Sequence, residues 1–206
     1  MADAAHGSPD AARGGALIIV SGPSGCGKTT VVRRLLERNP EYRRSISVTT
    51  RAKRPGEENG KDYYFRSREE FERLRQAGEL LEWSEHFGHR YGTPRRPVEQ
   101  ALADGAVIIL ELDVNGAGQT QERVPGARGI FVNAPSREEL IARLRARKTE
   151  SEERIQERLA RMDFELARRR LFDVEVINTN VERAVVEMEK FIVSEVRKDH
   201  AGYRAS

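Results

Sequence analysis

The chain has 206 residues, enough for one domain with a sizeable core; 33% of them are charged, yet the net charge is only +3. That balance removes bulk electrostatics as a reason to expect nucleic acid, and no apolar run approaches the ~20 residues of a membrane span. A single cysteine, Cys26, excludes an intramolecular disulfide and fits a reducing, cytoplasmic setting.

Residues 1–14 are Ala/Gly-rich, carry Asp3, Pro9 and Asp10, and lack the apolar segment of a signal peptide, so they read as a disordered tail. Ala16–Val20 reads as a buried strand, and Thr30–Arg38 has apolar residues at helical spacing. Between them lies Gly22-Pro23-Ser24-Gly25-Cys26-Gly27-Lys28-Thr29, the complete phosphate-cradling pattern G-x-x-x-x-G-K-[ST]. A strand that turns through glycines into a helix start aims several backbone N–H groups and the positive helix end at one anion. In that setting Lys28 reaches terminal phosphates and the Thr29 hydroxyl holds Mg²⁺. Cys26 is a small filler, since no histidine nearby in sequence would activate its thiol.

From about 47 to 97 the pattern changes to glycines, aromatics and polar residues, with a tight-turn signal at Asn59-Gly60. This stretch reads as an inserted β-rich lobe. Ala106–Asp113 then reads as a buried strand ending in the acids Glu111 and Asp113, and Gly129–Val132 and Val174–Asn178 as further strands. Helical patterns cover Ser136–Arg147, Ser151–Arg170 and Val181–Lys198, and Ser67/Glu70, Ser136/Glu139 and Thr149/Glu152 have capping-box spacing. Strands alternating with helices predict an α/β three-layer fold, a parallel sheet covered by helices, whose ligands bind at the carboxyl ends of the strands. That edge brings the phosphate loop and the acids together. His6, His86, His89 and His200 show no metal-ligand spacing.

Several motifs in order carry a resemblance to the guanylate kinases from Gly15 to about Val196. They are Ser21–Thr29, Ser47-Val-Thr-Thr-Arg51 with Arg54-Pro-Gly-Glu, Asn59-Gly-Lys-Asp-Tyr63-Tyr-Phe, Leu81-Glu82-Trp83, Tyr91-Gly-Thr93 and Leu110–Gly116, followed by an Arg-rich lid. The resemblance implies a domain over 15–206, with a core of 15–46 and 98–206, a GMP-binding insert of about 47–97 and a lid of about 143–160. It implies phosphoryl transfer from ATP, with Mg²⁺, to GMP or dGMP. ATP would lie on Gly22 through Thr30, near Asn178. Arg51, Arg54 and Tyr63 would hold the GMP phosphate, and two arginines three apart around a turn can converge on one dianion. Ser47, Glu82 and Thr93, with Glu111 or Asp113, would surround the guanine; Tyr91 would pack on the nucleotide or reach its phosphate. Either acid could instead orient Mg²⁺ through water, and the alternation of the strand puts both on one face.

The resemblance also implies that Lys28, Arg51, Arg143, Arg147 and Arg158 are the catalytic cations. Arg145, Arg154, Arg161, Arg168, Arg169 and Arg170 match no motif and are expected on a solvated face or paired with Glu150, Glu152, Glu153 and Glu157. The competing readings are a kinase for another acceptor, a non-catalytic binding module and a nucleic-acid-binding helix. The base-facing set opposes the first, Lys28 and Thr29 the second, and the interspersed acids the third. A monomer or small homo-oligomer, without nucleic acid or membrane, is expected.

Overall fold

In strand β1 (Ala16–Ser21) all six residues are buried. Alternate side chains serve opposite faces: Ile18 and Val20 enter one core cluster, Leu17 and Ile19 the other. A strand covered on both faces reads as a continuous apolar run, as this one does. The computed structural model describes residues 15–86, 88–146 and 152–203.

Helix α1 (Lys28–Arg38) follows the loop after β1, and β2 (Arg43–Arg44) is a short exposed edge strand. The core resumes with α3 (Arg95–Ala103), β7 (Val107–Glu111), α4 (Val114–Arg123), β8 (Arg128–Asn133), α5 (Arg137–Arg145), α6 (Glu152–Ala167), β9 (Val174–Ile177) and α7 (Val181–Tyr203). The main sheet has the order β2-β7-β1-β8-β9, and every pair in it is parallel. One face packs on α1, α5, α6 and α7 through Val31, Leu35, Leu140, Leu144, Met162, Val185 and Met188. The other packs on α3 and α4 through Val98, Ala101 and Ala117.

Between β2 and α3 the chain builds a second sheet from β3 (Val48–Thr49), β4 (Tyr64–Phe65), β5 (Leu80–His86) and β6 (His89–Pro94), in the order β4-β3-β6-β5. Helix α2 (Arg68–Gln76) closes its small core, where Phe71 packs with Val48 and Leu80.

Local chemistry explains the boundaries. Ser67 and Glu70 form a complete reciprocal capping box at α2, and the Ser136 side chain accepts from the Glu139 N–H at α5. The third expected box, at Thr149, lies outside the described residues, as do Arg147 and the tail 1–14.

Three expectations need correction. The helix expected to run to Arg170 ends at Ala167 and tightens into a 3₁₀ turn over Arg168–Leu171. The strand expected to reach Asp113 stops at Glu111, and the Asp113 side chain instead caps α4, accepting from the N–H groups of Asn115 and Gly116. Helices α3 and α4 are absent from the periodicity reading; Gly116 and Gly118 lower the intrinsic helix preference of α4.

The α2 box is solvent-exposed and local, so Ser67→Ala is expected to lower stability by about 1 kcal/mol. Urea unfolding should show a lower midpoint with an unchanged slope.

Candidate active site

The phosphate loop leaves β1 and enters α1 through Gly27, whose φ of 84° is left-handed. A Cβ there would lie 2.5 Å from Nδ2 of Asn178, so both the turn and the packing require glycine. Asn178 Nδ2 donates to the Cys26 carbonyl at 2.9 Å, and Asn178 is buried. The structure thus places Asn178 beneath the loop as a brace. Arg143 likewise turns to this junction, donating to the Asn178 carbonyl at 3.1 Å and to Glu139 at 2.9 Å. Lys28 donates through Nζ to the carbonyls of Leu112 (3.1 Å) and Gly22 (3.5 Å), spanning the ends of β7 and β1. Cys26 is buried, and burial pushes its thiol pKa up, as befits a filler.

The facing wall is β5. Gln119 of α4 clamps Trp83, donating to its carbonyl at 2.8 Å and accepting from its N–H at 3.4 Å. This register turns Glu82 inward, where it is 3% exposed and lines the cleft. Thr93 Oγ1 donates to Glu82 Oε1 at 2.7 Å. Thr93 is fully buried, with its hydroxyl engaged by the Glu82 carboxylate. A Cβ at Gly116 would come within 2.4 Å of Glu82 Oε2, so the start of α4 forms the floor under that carboxylate. Burial raises the Glu82 pKa to about 7, against the Thr93 hydrogen bond and with help from the Asp113 charge.

Ser47, Arg51, Arg54, Tyr63 and Tyr91 line the same cleft. Both Arg51 terminal nitrogens donate to Glu57, at 2.9 and 2.7 Å, and its guanidinium lies 5.3 Å from the Tyr63 ring centre. Glu57 also accepts from the Arg54 N–H at 2.8 Å, so one carboxylate holds both arginine-bearing segments. Sequence reasoning missed Glu57; its signal is an acid closing the Arg54-Pro-Gly turn. Tyr91 stacks on His86, with ring centres 4.4 Å apart and planes within 5°, and meets Tyr63 edge-on at 6.3 Å.

Glu111 and Asp113 both reach the cleft but differ in partners. Glu111 pairs with Arg44 at 3.0 Å. Asp113 caps α4, accepts from the Ser84 hydroxyl, and has His86 Nδ1 at 3.3 Å. Burial lowers the His86 pKa to about 4, so its imidazole is neutral at pH 7. Neither Ser84 nor His86 was foreseen in the site.

From α6, Arg158 donates to Ser24 Oγ at 3.2 Å, and Glu165 accepts from the Ser24 N–H at 3.1 Å. Arg161, expected on a solvated face, lines the cleft and donates to Glu165 at 3.1 Å. The spacing of Arg158, Arg161 and Glu165 puts all three on one helical face, a signal the charge run conceals.

The whole cleft encloses about 800 Å³, with the phosphate loop at one end and Glu82 in the inserted sheet. A glycine-rich anion cradle at the carboxyl edge of a parallel sheet, facing an inserted lobe with paired arginines and a buried carboxylate, defines a P-loop nucleotide phosphotransferase of the monophosphate kinase type. The sequence profile described as Guanylate kinase matches residues 14–195. The guanylate kinase of Rubrobacter xylanophilus is 52% identical over 176 residues, 85% of this chain and 92% of that protein. That of Thermosynechococcus vestitus is 48% identical over 180 residues, 87% and 94% of the two chains. The crystal structure of guanylate kinase from Anaplasma phagocytophilum superposes with a TM-score of 0.75 at 33% identity, covering 89% of this chain and 87% of that one. The chain belongs to the guanylate kinase family. Among the described residues no helix is long and apolar enough to cross a membrane.

Asn178→Ala removes the brace under the loop and is expected to weaken nucleoside triphosphate binding about tenfold while far-ultraviolet circular dichroism stays unchanged; titration with a fluorescent ATP analogue checks it. Glu82 binds its proton more tightly folded than unfolded. Its contribution to stability is therefore full below pH 4.5 and lost as pH rises through about 7. Denaturant unfolding at pH 4.5, 6 and 7.5 should show this decline in the unsubstituted protein and a flatter profile in Glu82→Gln.

Proposed function

We propose that this chain transfers the γ-phosphoryl group of ATP to the 5′-phosphate of GMP, or of dGMP, releasing ADP and GDP. The observation that carries the reading is Glu82, a buried carboxylate in the same cleft as the phosphate loop. Guanine presents two donors, N1–H and the N2 amine, to one carboxylate. Adenine has an acceptor at N1 and no N2 amine, and would leave the buried carboxylate unpaired. A site of this kind discriminates by about 10⁴. Thr93 supports the selection by fixing the orientation of Glu82. Ser47 lines the same cleft, and its hydroxyl is the donor assigned here to guanine O6.

The acceptor phosphate goes to Arg51, Arg54 and Tyr63. Glu57 presets the Arg51 guanidinium and fixes the backbone that carries Arg54, so less ordering entropy is lost when the dianion arrives. The ATP phosphates go to the loop from Gly22 to Thr30 and to Lys28. An oxygen of the GMP phosphate is already anionic, so in-line attack needs no general base. The obstacle is repulsion between two polyanions, about 4 kcal/mol for each pair of unit charges 4 Å apart at an effective dielectric of 20. Lys28, Arg51, Arg54 and Arg158 line the cleft and offset it. Arg143 and Arg147 join them on the strength of the family's lid motif, with Arg147 lying outside the described residues.

Among the described residues no three His, Cys, Asp or Glu side chains gather into a metal cage. Mg²⁺ takes one or two protein oxygens and completes its shell with water and substrate phosphates, a demand that a hydroxyl and a carboxylate can meet. The Thr29 hydroxyl and Glu111, through water, are the oxygens at hand; Asp113 is more fully engaged by Ser84, Asn115 and Gly116. Bound there, the ion would neutralise phosphate charge.

A coupled assay of ADP formation should show turnover with GMP and dGMP, and at least 10³-fold lower kcat/KM with AMP, CMP and UMP. Comparable use of AMP would overturn the reading. Lys28→Ala should abolish turnover in a folded protein. Only ionised Glu82 accepts both guanine donors, so kcat/KM for GMP should rise between pH 6 and 8 and level off. Glu82→Gln should raise the KM for GMP, leave that for ATP within twofold, and lose that part of the pH profile.

A further inference from the structure

Among the carboxylates that face the cleft are Asp113 on the acceptor side and Glu165 on the donor side. Glu165 is buried, and its Oε2 accepts from the Ser24 N–H of the phosphate loop. Asp113 caps α4, the helix whose Gly116 abuts the Glu82 carboxylate. One guanidinium stands between them. Arg161 donates through Nε to Glu165 Oε1 at 3.1 Å, and its Nη2 lies 3.8 Å from Asp113 Oδ1. Its side chain is 19% exposed, so the head group is held within the wall and not in bulk water.

We propose that Arg161 is a further positioning residue of this reaction, a clamp by which α6 holds the phosphate loop and the guanine wall at a fixed separation. The assignment rests on the GMP-phosphorylating reading above. The physical argument has two parts. Two anions sharing a cleft with two phosphate-bearing ligands repel both the ligands and each other; a fixed cation between them cancels that field without touching substrate. The guanidinium also sets geometry, because one planar group bonds Glu165 through its Nε–H and holds Asp113 as an ion pair through Nη2. An ammonium keeps the charge but is a single point and cannot span both carboxylates equally well. Arg161 acts through Glu165 on the Ser24 amide, and through Asp113 on the floor beneath Glu82. Its effect therefore falls on the relative placement of two bound nucleotides rather than on either one alone.

The test uses the full chain with Arg161→Gln, Arg161→Lys, Glu165→Gln and the double variant Arg161→Gln/Glu165→Gln, each checked for its thermal midpoint. Arg161→Gln is expected to lower kcat about tenfold or more, with the KM values for GMP and ATP within threefold of the unsubstituted protein. Arg161→Lys should recover part of that loss. The double variant should fall well short of the product of the two single losses, because both remove one arrangement. The proposal is overturned by Arg161→Gln turning over within twofold of the unsubstituted chain. It is equally overturned by a loss confined to the KM for GMP, by multiplicative losses in the double variant, or by a lysine variant that is no better than glutamine and equally unstable. Should Arg161→Gln fail to fold, the same split between kcat and KM is read from Arg161→Lys. An unsubstituted chain inactive on GMP sinks the reaction and the clamp together; an active one with indifferent Arg161 variants sinks the clamp alone.

Discussion

The parallel pairing of β1 with β7 is the constraint from which the site follows. Val20 lies opposite Glu111, and the Leu112 N–H extends the ladder one step by bonding the Val20 carbonyl. Both strands therefore end at one level. One end must open into the glycine loop, the other into the cap of α4. Lys28 closes the gap by bonding carbonyls from both strand ends. Had the two strands paired in another register, the anion cradle and the acids would not share a cleft. The strand is apolar on both faces, Ile18 and Val20 on one and Leu17 and Ile19 on the other, so both of its neighbours' layers can pack on it.

Upon that edge the protein places buried carboxylates, each with its own compensation. Glu82 has the Thr93 hydroxyl, Asp113 has the cap of α4 and the Ser84 hydroxyl, and Glu165 has the Ser24 amide and Arg161. A buried charge is tolerated only when hydrogen-bonded or paired, so these partners are conditions for the fold as much as for the site. Burial outweighs the partners of Glu82 and of Glu165, raising both, whereas those of Asp113 hold it low; Glu82 moves to about 7. The guanine donors are the partners it lacks.

Much of this was legible in the residues alone, and the exceptions share a cause. The phosphate loop, the main apolar strands and the arginine–tyrosine set of the insert are signalled by residues close in sequence. The supports that Asn178 and Thr93 provide cannot be seen locally, since their partners are the Cys26 carbonyl 152 positions away and the Glu82 carboxylate across a strand pair. Arg161 was hidden by composition, since a run of arginines and glutamates reads as a solvated face until the sheet beneath it is known. Helix α4 escaped because Gly116 serves closeness to Glu82 rather than helix preference.

The burial of Cys26 has a chemical consequence of its own. It is the only cysteine in the chain, and its sulfur is sealed under the phosphate cradle, 1% exposed and without thiolate character. Two copies of this protein therefore have no accessible sulfhydryl with which to become covalently joined under oxidising stress. Electrophiles reach that sulfur only when the loop lifts from the sheet, so the pace of its alkylation is a clock for that opening.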